Sequence, residues 1–124
     1  MDRLTHILTE ICKHSMGERS IDDYKRGIAD GTLALFDIEG ITVGAEIHTH
    51  PQKKVLAVIF LYADKHEGLQ HIDKVFKVMT DIARSLGCSD LITYGRKGWE
   101  KVMQQHGAVH QYSVFRLEVP NVIQ

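Results

Sequence analysis

Cysteine and proline are scarce, two of each in 124 residues, and the charges nearly cancel, with 15 Lys and Arg against 16 Asp and Glu. Cys12 and Cys88 are too few for a disulfide framework and lack metal-site spacing, so both read as reduced thiols of a cytosolic protein. A formal charge of −1 excludes a dedicated phosphate-backbone binder, and no nucleic-acid partner is expected. Long apolar segments of the export or membrane type are also missing. The opening stretch MDRLTHILTEICKHS is broken by charged and polar residues, so no membrane association is expected and the compartment read from the sequence is the cytoplasm.

What is present describes a globular chain. Hydrophobic residues make up 44% and charged residues 25%, which excludes a disordered composition. The length suits one domain over residues 1–124, able to bury about two-thirds of its unfolded surface. Eight histidines are the unusual count, because imidazoles change charge close to neutrality.

Periodicity sets the elements. Leu4, Ile7, Leu8 and Ile11 recur at helical spacing, predicting a helix from residue 2 to about 14. A second helix starts at Ser20, an N-cap with Asp23 three residues on, and closes at Gly31, with Gly27 weakening its interior. From Thr32 the period becomes two. Leu33, Leu35 and Asp37 alternate with Ala34, Phe36 and Ile38, Glu39-Gly40 turns the chain, and Ile41 to His50 returns as the second strand of an antiparallel hairpin. After a polar turn at residues 51–54, the run Val55 to Tyr62 fits a central strand buried on both faces. Leu69, Ile72, Val75, Phe76, Met79, Ile82, Ala83 and Leu86 form a long helical stripe stopped by Gly87. Asp90 to Tyr94 is a short strand, Lys97 to His106 a short helix ended by Gly107, and Val109 to Val119 a last strand. The expected order is α-α-β-β-β-α-β-α-β in an α/β domain with a mixed, mostly antiparallel sheet.

This order, carried by GTLALFDIEGITVGAEI and by residues 54 to 119, resembles the GCN5-related N-acetyltransferase (GNAT) fold. The Gly95-Arg96-Lys97-Gly98-Trp99-Glu100 entry and His106-Gly107-Ala108 exit of the short helix look most like the compact GNAT-like proteins of tailed bacteriophages, some of them associated with virion assembly. The resemblance implies that the two strands after the hairpin part at a cleft for acetyl-CoA. It also implies that the loop after the central strand holds a pyrophosphate on backbone N–H groups at a helix N-terminus.

The matching loop here is Lys65-His66-Glu67-Gly68-Leu69-Gln70, and with Tyr62 it supplies the cofactor candidates Tyr62, Lys65, His66, Gly68, Leu69 and Gln70. Gly68 matches the family pattern and Lys65 offers a positive charge. Gln70 stands where a small residue lets phosphate approach, and Glu67 places a carboxylate in an anion loop. The family's usual acid is a tyrosine four residues before the glycine that ends the last helix. Here that residue is Met103, whose thioether cannot donate a proton. Tyr94, at the end of its strand, or Tyr112 is the substitute acid, and Glu46, Asp64 or a histidine is the candidate base, with nothing in the sequence selecting one. These departures favour a divergent GNAT-type protein that works by binding or in particle assembly, with a protein partner or a second copy. The alternative is an active acetyl-CoA-dependent N-acetyltransferase acting on a small-molecule or protein amine.

His48-Thr49-His50-Pro51 resembles the core of the JAMM metalloprotease motif. The serine and aspartate that should follow are replaced by Val58 and Leu61, so no metal site is expected. Lys53-Lys54 and Arg96-Lys97 could form a modest anion surface if brought together, and Trp99 reads as a core anchor or a docking residue. Of the histidines, His66 and His71 flank the candidate phosphate loop.

Overall fold

In a computed structural model the described residues are 2–14, 17–63, 71–94, 100–105, 107–109, 111 and 117–120. The chain divides into two compact units, Met1–Tyr94 and Gly95–Gln124. The first holds α1 (Arg3–Cys12), α2 (Ile21–Asp30), β1 (Ala34–Ile38), β2 (Ile41–Thr49), β3 (Lys54–Tyr62), α3 (Ile72–Ser85) and β4 (Asp90–Thr93). The second holds α4 (Glu100–Gln105). Element for element, the order is the expected one as far as α4.

Local chemistry sets the helix ends. Asp2 caps α1 by accepting from the Thr5 N–H at 2.7 Å. Ser20 and Asp23 form a reciprocal capping box at the start of α2, each side chain accepting the other's backbone N–H. Gly31 ends α2 at φ 85°, a left-handed conformation that costs glycine least. The next residues are drawn back over that end, with the Leu33 N–H donating to the Gly27 carbonyl at 3.0 Å. That bond explains why β1 starts at Ala34 rather than at Thr32.

The sheet order is β1-β2-β3-β4, antiparallel between β1, β2 and β3 and parallel between β3 and β4. Strand β3 therefore has a partner on each side and helices over both faces, as its unbroken apolar run predicts. On one face Leu56 and Val58 pack with Val43 and Ala45 of β2 and with Val75, Met79 and Ala83 of α3. On the other, Phe60 packs with Ile7 and Leu8 of α1, Tyr24 of α2 and Leu33.

Two sequence expectations need adjustment. Tyr94 lies just past β4 rather than within it, and His50 just past β2. Of the expected last strand, residues 109, 111 and 117–119 have no strand conformation, and Val109, Leu117 and Val119 are exposed. Residues 110 and 112–116 lie outside the described residues. Among the described residues, no helix is long and apolar enough to cross a membrane.

Candidate functional site

The parallel ladder between β3 and β4 runs from Val55↔Asp90 to Val58↔Thr93. Strand β3 then continues through Ile59, Phe60 and Leu61 to Tyr62, beyond the last β4 pair. At that level its pairing with β2 also changes. Gly44 opposes Phe60 but Ala45 opposes Val58, so Ile59 is an extra residue on β3, a β-bulge.

Packing records the bulge independently. Side chains on a regular strand alternate faces, yet Ile59 and Phe60 are consecutive and both join the cluster under α1 and α2, while Leu61 joins the cluster under α3. Gly44 makes room for this arrangement. A Cβ at that position would lie 2.3 Å from Cε2 of Phe60, so the ring rests where any larger residue would put its side chain. A glycine inside a strand pattern is the sequence signal for such a bulge, and the sequence reading did not use it.

Of the candidates named from sequence, the fold brings two to this place. Tyr94 follows the last β4 pair, one register position on and so level with Ile59, and is 51% exposed. Tyr62 ends β3 and takes the ring of His6, on α1, edge-on at 6.2 Å between centroids. His71 is the N-cap residue of α3, with no side-chain capping bond. Asp64, Lys65, His66, Gly68, Leu69 and Gln70 lie outside the described residues, as do Arg96, Lys97 and Trp99.

Glu46 lies elsewhere. It pairs with Ala57, roughly 15 Å along β3 from Tyr62 at the usual rise per residue. Its carboxylate accepts from both terminal nitrogens of Arg19, at 2.8 and 2.9 Å, and its Oε1 lies 3.0 Å from Nε2 of His48. The hydrogen bonds from Arg19 hold the Glu46 carboxyl below the ordinary range of a glutamate, with His48 adding to the effect against a smaller desolvation penalty. A carboxylate so engaged is a poor proton acceptor. Arg19 also lies over the Tyr24 ring, 5.6 Å from its centroid, and Tyr24 meets Phe60 edge-on at 5.8 Å. The row from His48 to Phe60 fastens the entry of α2 to the sheet beside the bulge. An open groove of about 350 Å3 borders it, lined by Glu18, Asp23, Arg26 and Asp30 among others.

The lysine pair of the β2–β3 turn is engaged elsewhere: Lys53 is bonded to Asp90 at 2.7 Å, and Lys54 donates to the Leu86 carbonyl. Met103, in α4, stands where a tyrosine acid was sought, and its carbonyl accepts from the Ala108 N–H at 3.1 Å. Among the described residues no three His, Cys, Asp or Glu side chains gather into a set able to hold a metal ion.

No protein-family model matches the sequence, and a search of curated proteins gives no match. Solved structures do match. A ribosomal-protein-alanine N-acetyltransferase from Brucella melitensis biovar Abortus superposes with a TM-score of 0.65 at 17% identity, covering 94% of each chain. Glucosamine-6-phosphate N-acetyltransferase from Arabidopsis thaliana gives 0.65 at 14% identity, over 94% of this chain and 88% of the other. An aminoglycoside acetyltransferase from an uncultured soil metagenomic sample gives 0.63 at 10%, over 94% and 86%. A mixed sheet with a bulge at Ile59 beside the end of the parallel β3–β4 ladder, set among helices and strands in this order and matched over nearly the whole length, gives the chain the fold of the GCN5-related N-acetyltransferases.

Proposed function

We propose that the protein binds an acetyl-CoA-type thioester where β3 leaves β4 and passes its acyl group to an amine. The observation that carries this reading is the Ile59 bulge, level with the end of the β4 ladder. A bulge takes backbone groups out of their ladder bonds, and at the carboxyl ends of parallel strands such groups are positioned to meet a ligand. A strand N–H there would polarise the thioester carbonyl and stabilise the oxyanion that forms on it.

Tyr62, at the end of β3, is assigned to the edge of the thioester site, and Lys65, His66, Gly68, Leu69 and Gln70, immediately before α3 in sequence, are assigned to the pyrophosphate. Tyr94, level with the bulge, is assigned the proton for the departing thiolate. An amine acceptor is suggested by the neighbours, two of which are named as N-acetyltransferases. No carboxylate base is assigned: Glu46 is bound to Arg19 and His48, and Asp64 lies outside the described residues.

A second reading has its own support. Met103 in place of a tyrosine, with Glu67 and Gln70 in the anion loop, suits a divergent protein of the phage type that acts through a protein partner or a second copy, in the cytoplasm and during particle assembly. Thermal unfolding with 1 mM acetyl-CoA separates the two. Binding raises the midpoint, by the equivalent of about 2.7 kcal/mol if that concentration is a hundredfold above Kd, and Gly68→Asp abolishes the rise. An unchanged midpoint for the wild-type chain sinks the thioester reading and leaves the binding-protein reading standing.

A further inference from the structure

His6 is one of eight histidines, and nothing in its sequence context marks it. The fold carries it to Tyr62, at the end of β3. Helix α1 is held by its Asp2 cap and by the buried Ile7 and Leu8, and His6 sits at the border of that apolar stripe. Its imidazole is exposed, yet it meets the Tyr62 ring edge-on, at 6.2 Å between centroids and 89° between planes. Such contacts fix a ring's orientation at modest energy. A solvent-accessible imidazole is therefore placed by a rigid helix at the end of the strand that carries the bulge.

The proposed reaction requires a group of this kind. An amine reaches the protein mostly as ammonium and must lose a proton before it can attack. Glu46 is bound to Arg19, Asp64 lies outside the described residues, and a tyrosine phenol keeps its proton at neutrality and so has no basic form to offer. Imidazole is the side chain suited to accept a proton near pH 7. The charged and titratable groups around His6 are Asp2, Arg3 and Glu10 on its own helix, Lys25 of α2 acting on Asp2, and Tyr62 of β3.

Resting on the acyl-transfer reading, we infer that His6 is the proton acceptor for the attacking amine, oriented by Tyr62. The ammonium gives one proton to the imidazole, which later releases it to water. The freed nitrogen forms the N–C bond as the C–S bond breaks, Tyr94 gives its proton to the departing thiolate, and the nitrogen's second proton restores the Tyr94 phenol. The products are an amide and a thiol, with no redox change.

Two measurements on the full chain test this. In the first, acetyl-CoA is titrated while the His6 Cε1–H signal, assigned with His6→Gln, is followed by NMR beside the amides of Ile59, Phe60 and Leu61. All are expected to shift with one saturation curve. In the second, acyl transfer to an alanine-headed peptide, to glucosamine and to an aminoglycoside is followed against pH. His6→Gln is expected to lower kcat about 100-fold, to remove the fall in rate toward acid and to leave KM for acetyl-CoA within twofold. Tyr62→Phe, which keeps the ring, should retain most of the rate. If the strand amides shift and His6 does not, the His6 assignment is overturned while the cleft reading survives. If neither shifts, or no amine is acetylated, both fall. If His6→Gln keeps the wild-type kcat and acid limb, the proton role is overturned.

Discussion

Under α3 the sheet buries aliphatic side chains and one thioether: Ile38, Ile41, Val43, Ala45, Leu56 and Val58 against Val75, Met79 and Ala83. Under α1 and α2 it buries the Phe60 and Tyr24 rings, and beside them runs the row in which Arg19 joins Glu46 and Glu46 meets His48. The first face depends on volume, since close-packed apolar groups of the right size satisfy it in more than one arrangement. The second depends on position. The missing Cβ of Gly44, the extra residue Ile59 and the two-pronged Arg19 contact each require one particular neighbour. The face with the demanding geometry is also the one that carries the bulge and Tyr62.

Substitutions on the two faces should therefore fail differently, and the largest loss is expected on the volume-dependent one. Met79 is fully buried in the middle of α3. Met79→Ala removes its contacts and leaves a cavity, at a cost of about 2–5 kcal/mol. Urea unfolding should show a lower midpoint, and Met79→Leu, close in volume, should recover most of it. A methyl-scale truncation there that changed the amide signals of Ile59–Leu61 more than it changed stability would break the contrast between the faces.

Gly44→Ala is the corresponding test of the position-dependent face. The new methyl would lie 2.3 Å from Cε2 of Phe60, so the ring must leave its place over β2, and the ring in turn supports Tyr24. Overpacking of this kind costs about 1–3 kcal/mol. The sharper measurement is a double-mutant cycle with Phe60→Leu. Removing the ring should relieve the alanine, giving a coupling of about 1 kcal/mol or more between positions 44 and 60. Additive losses would mean that the bulge does not depend on the glycine. The resonances of Ile59 should move in Gly44→Ala and stay in place in Met79→Leu.

The face under α3 was legible in the sequence because its rule is local. Ile72, Val75, Met79 and Ala83 step by three and four, and Gly87 ends the run, so periodicity alone gives the helix and its buried side. The Ser20 and Asp23 capping box was legible for the same reason, since both partners lie within one turn. The other face was not. Val55-Leu56-Ala57-Val58-Ile59-Phe60-Leu61-Tyr62 is apolar at every position, so a one-residue slip in pairing leaves no mark on the pattern, and the partner that accommodates it, Gly44, belongs to another strand. Glu46 reads as an isolated acid in a strand, and Arg19, far off in sequence, is what converts it from a candidate base into a structural anchor. His6 reads as an ordinary helix residue until α1 is laid against the end of β3. What was legible of Tyr62 and Tyr94 is their place, since the order of elements was right and puts one at the end of β3 and the other just past β4.

The smallest expected effect is also the one with a definite pH signature. The Arg19–Glu46 pair is half-buried, with side-chain exposures of 33% and 16%, so water screens part of the attraction and Glu46→Gln should cost about 1 kcal/mol at neutral pH. The Glu46 carboxyl is held below its ordinary range in the folded state, chiefly by the Arg19 hydrogen bonds. A group whose pKa is lowered on folding adds stability that is fully present above its unfolded value, near 4.5, and is lost as pH falls through the folded value. Glutamine has no such titration. Wild-type and Glu46→Gln urea midpoints should therefore differ at pH 7, keep that difference down to about pH 5 and converge in more acidic solution. A gap that persisted unchanged below pH 3 would show that shape, rather than charge, holds α2 to the sheet. Both faces would then depend on volume, and the contrast between them would reduce to the bulge alone.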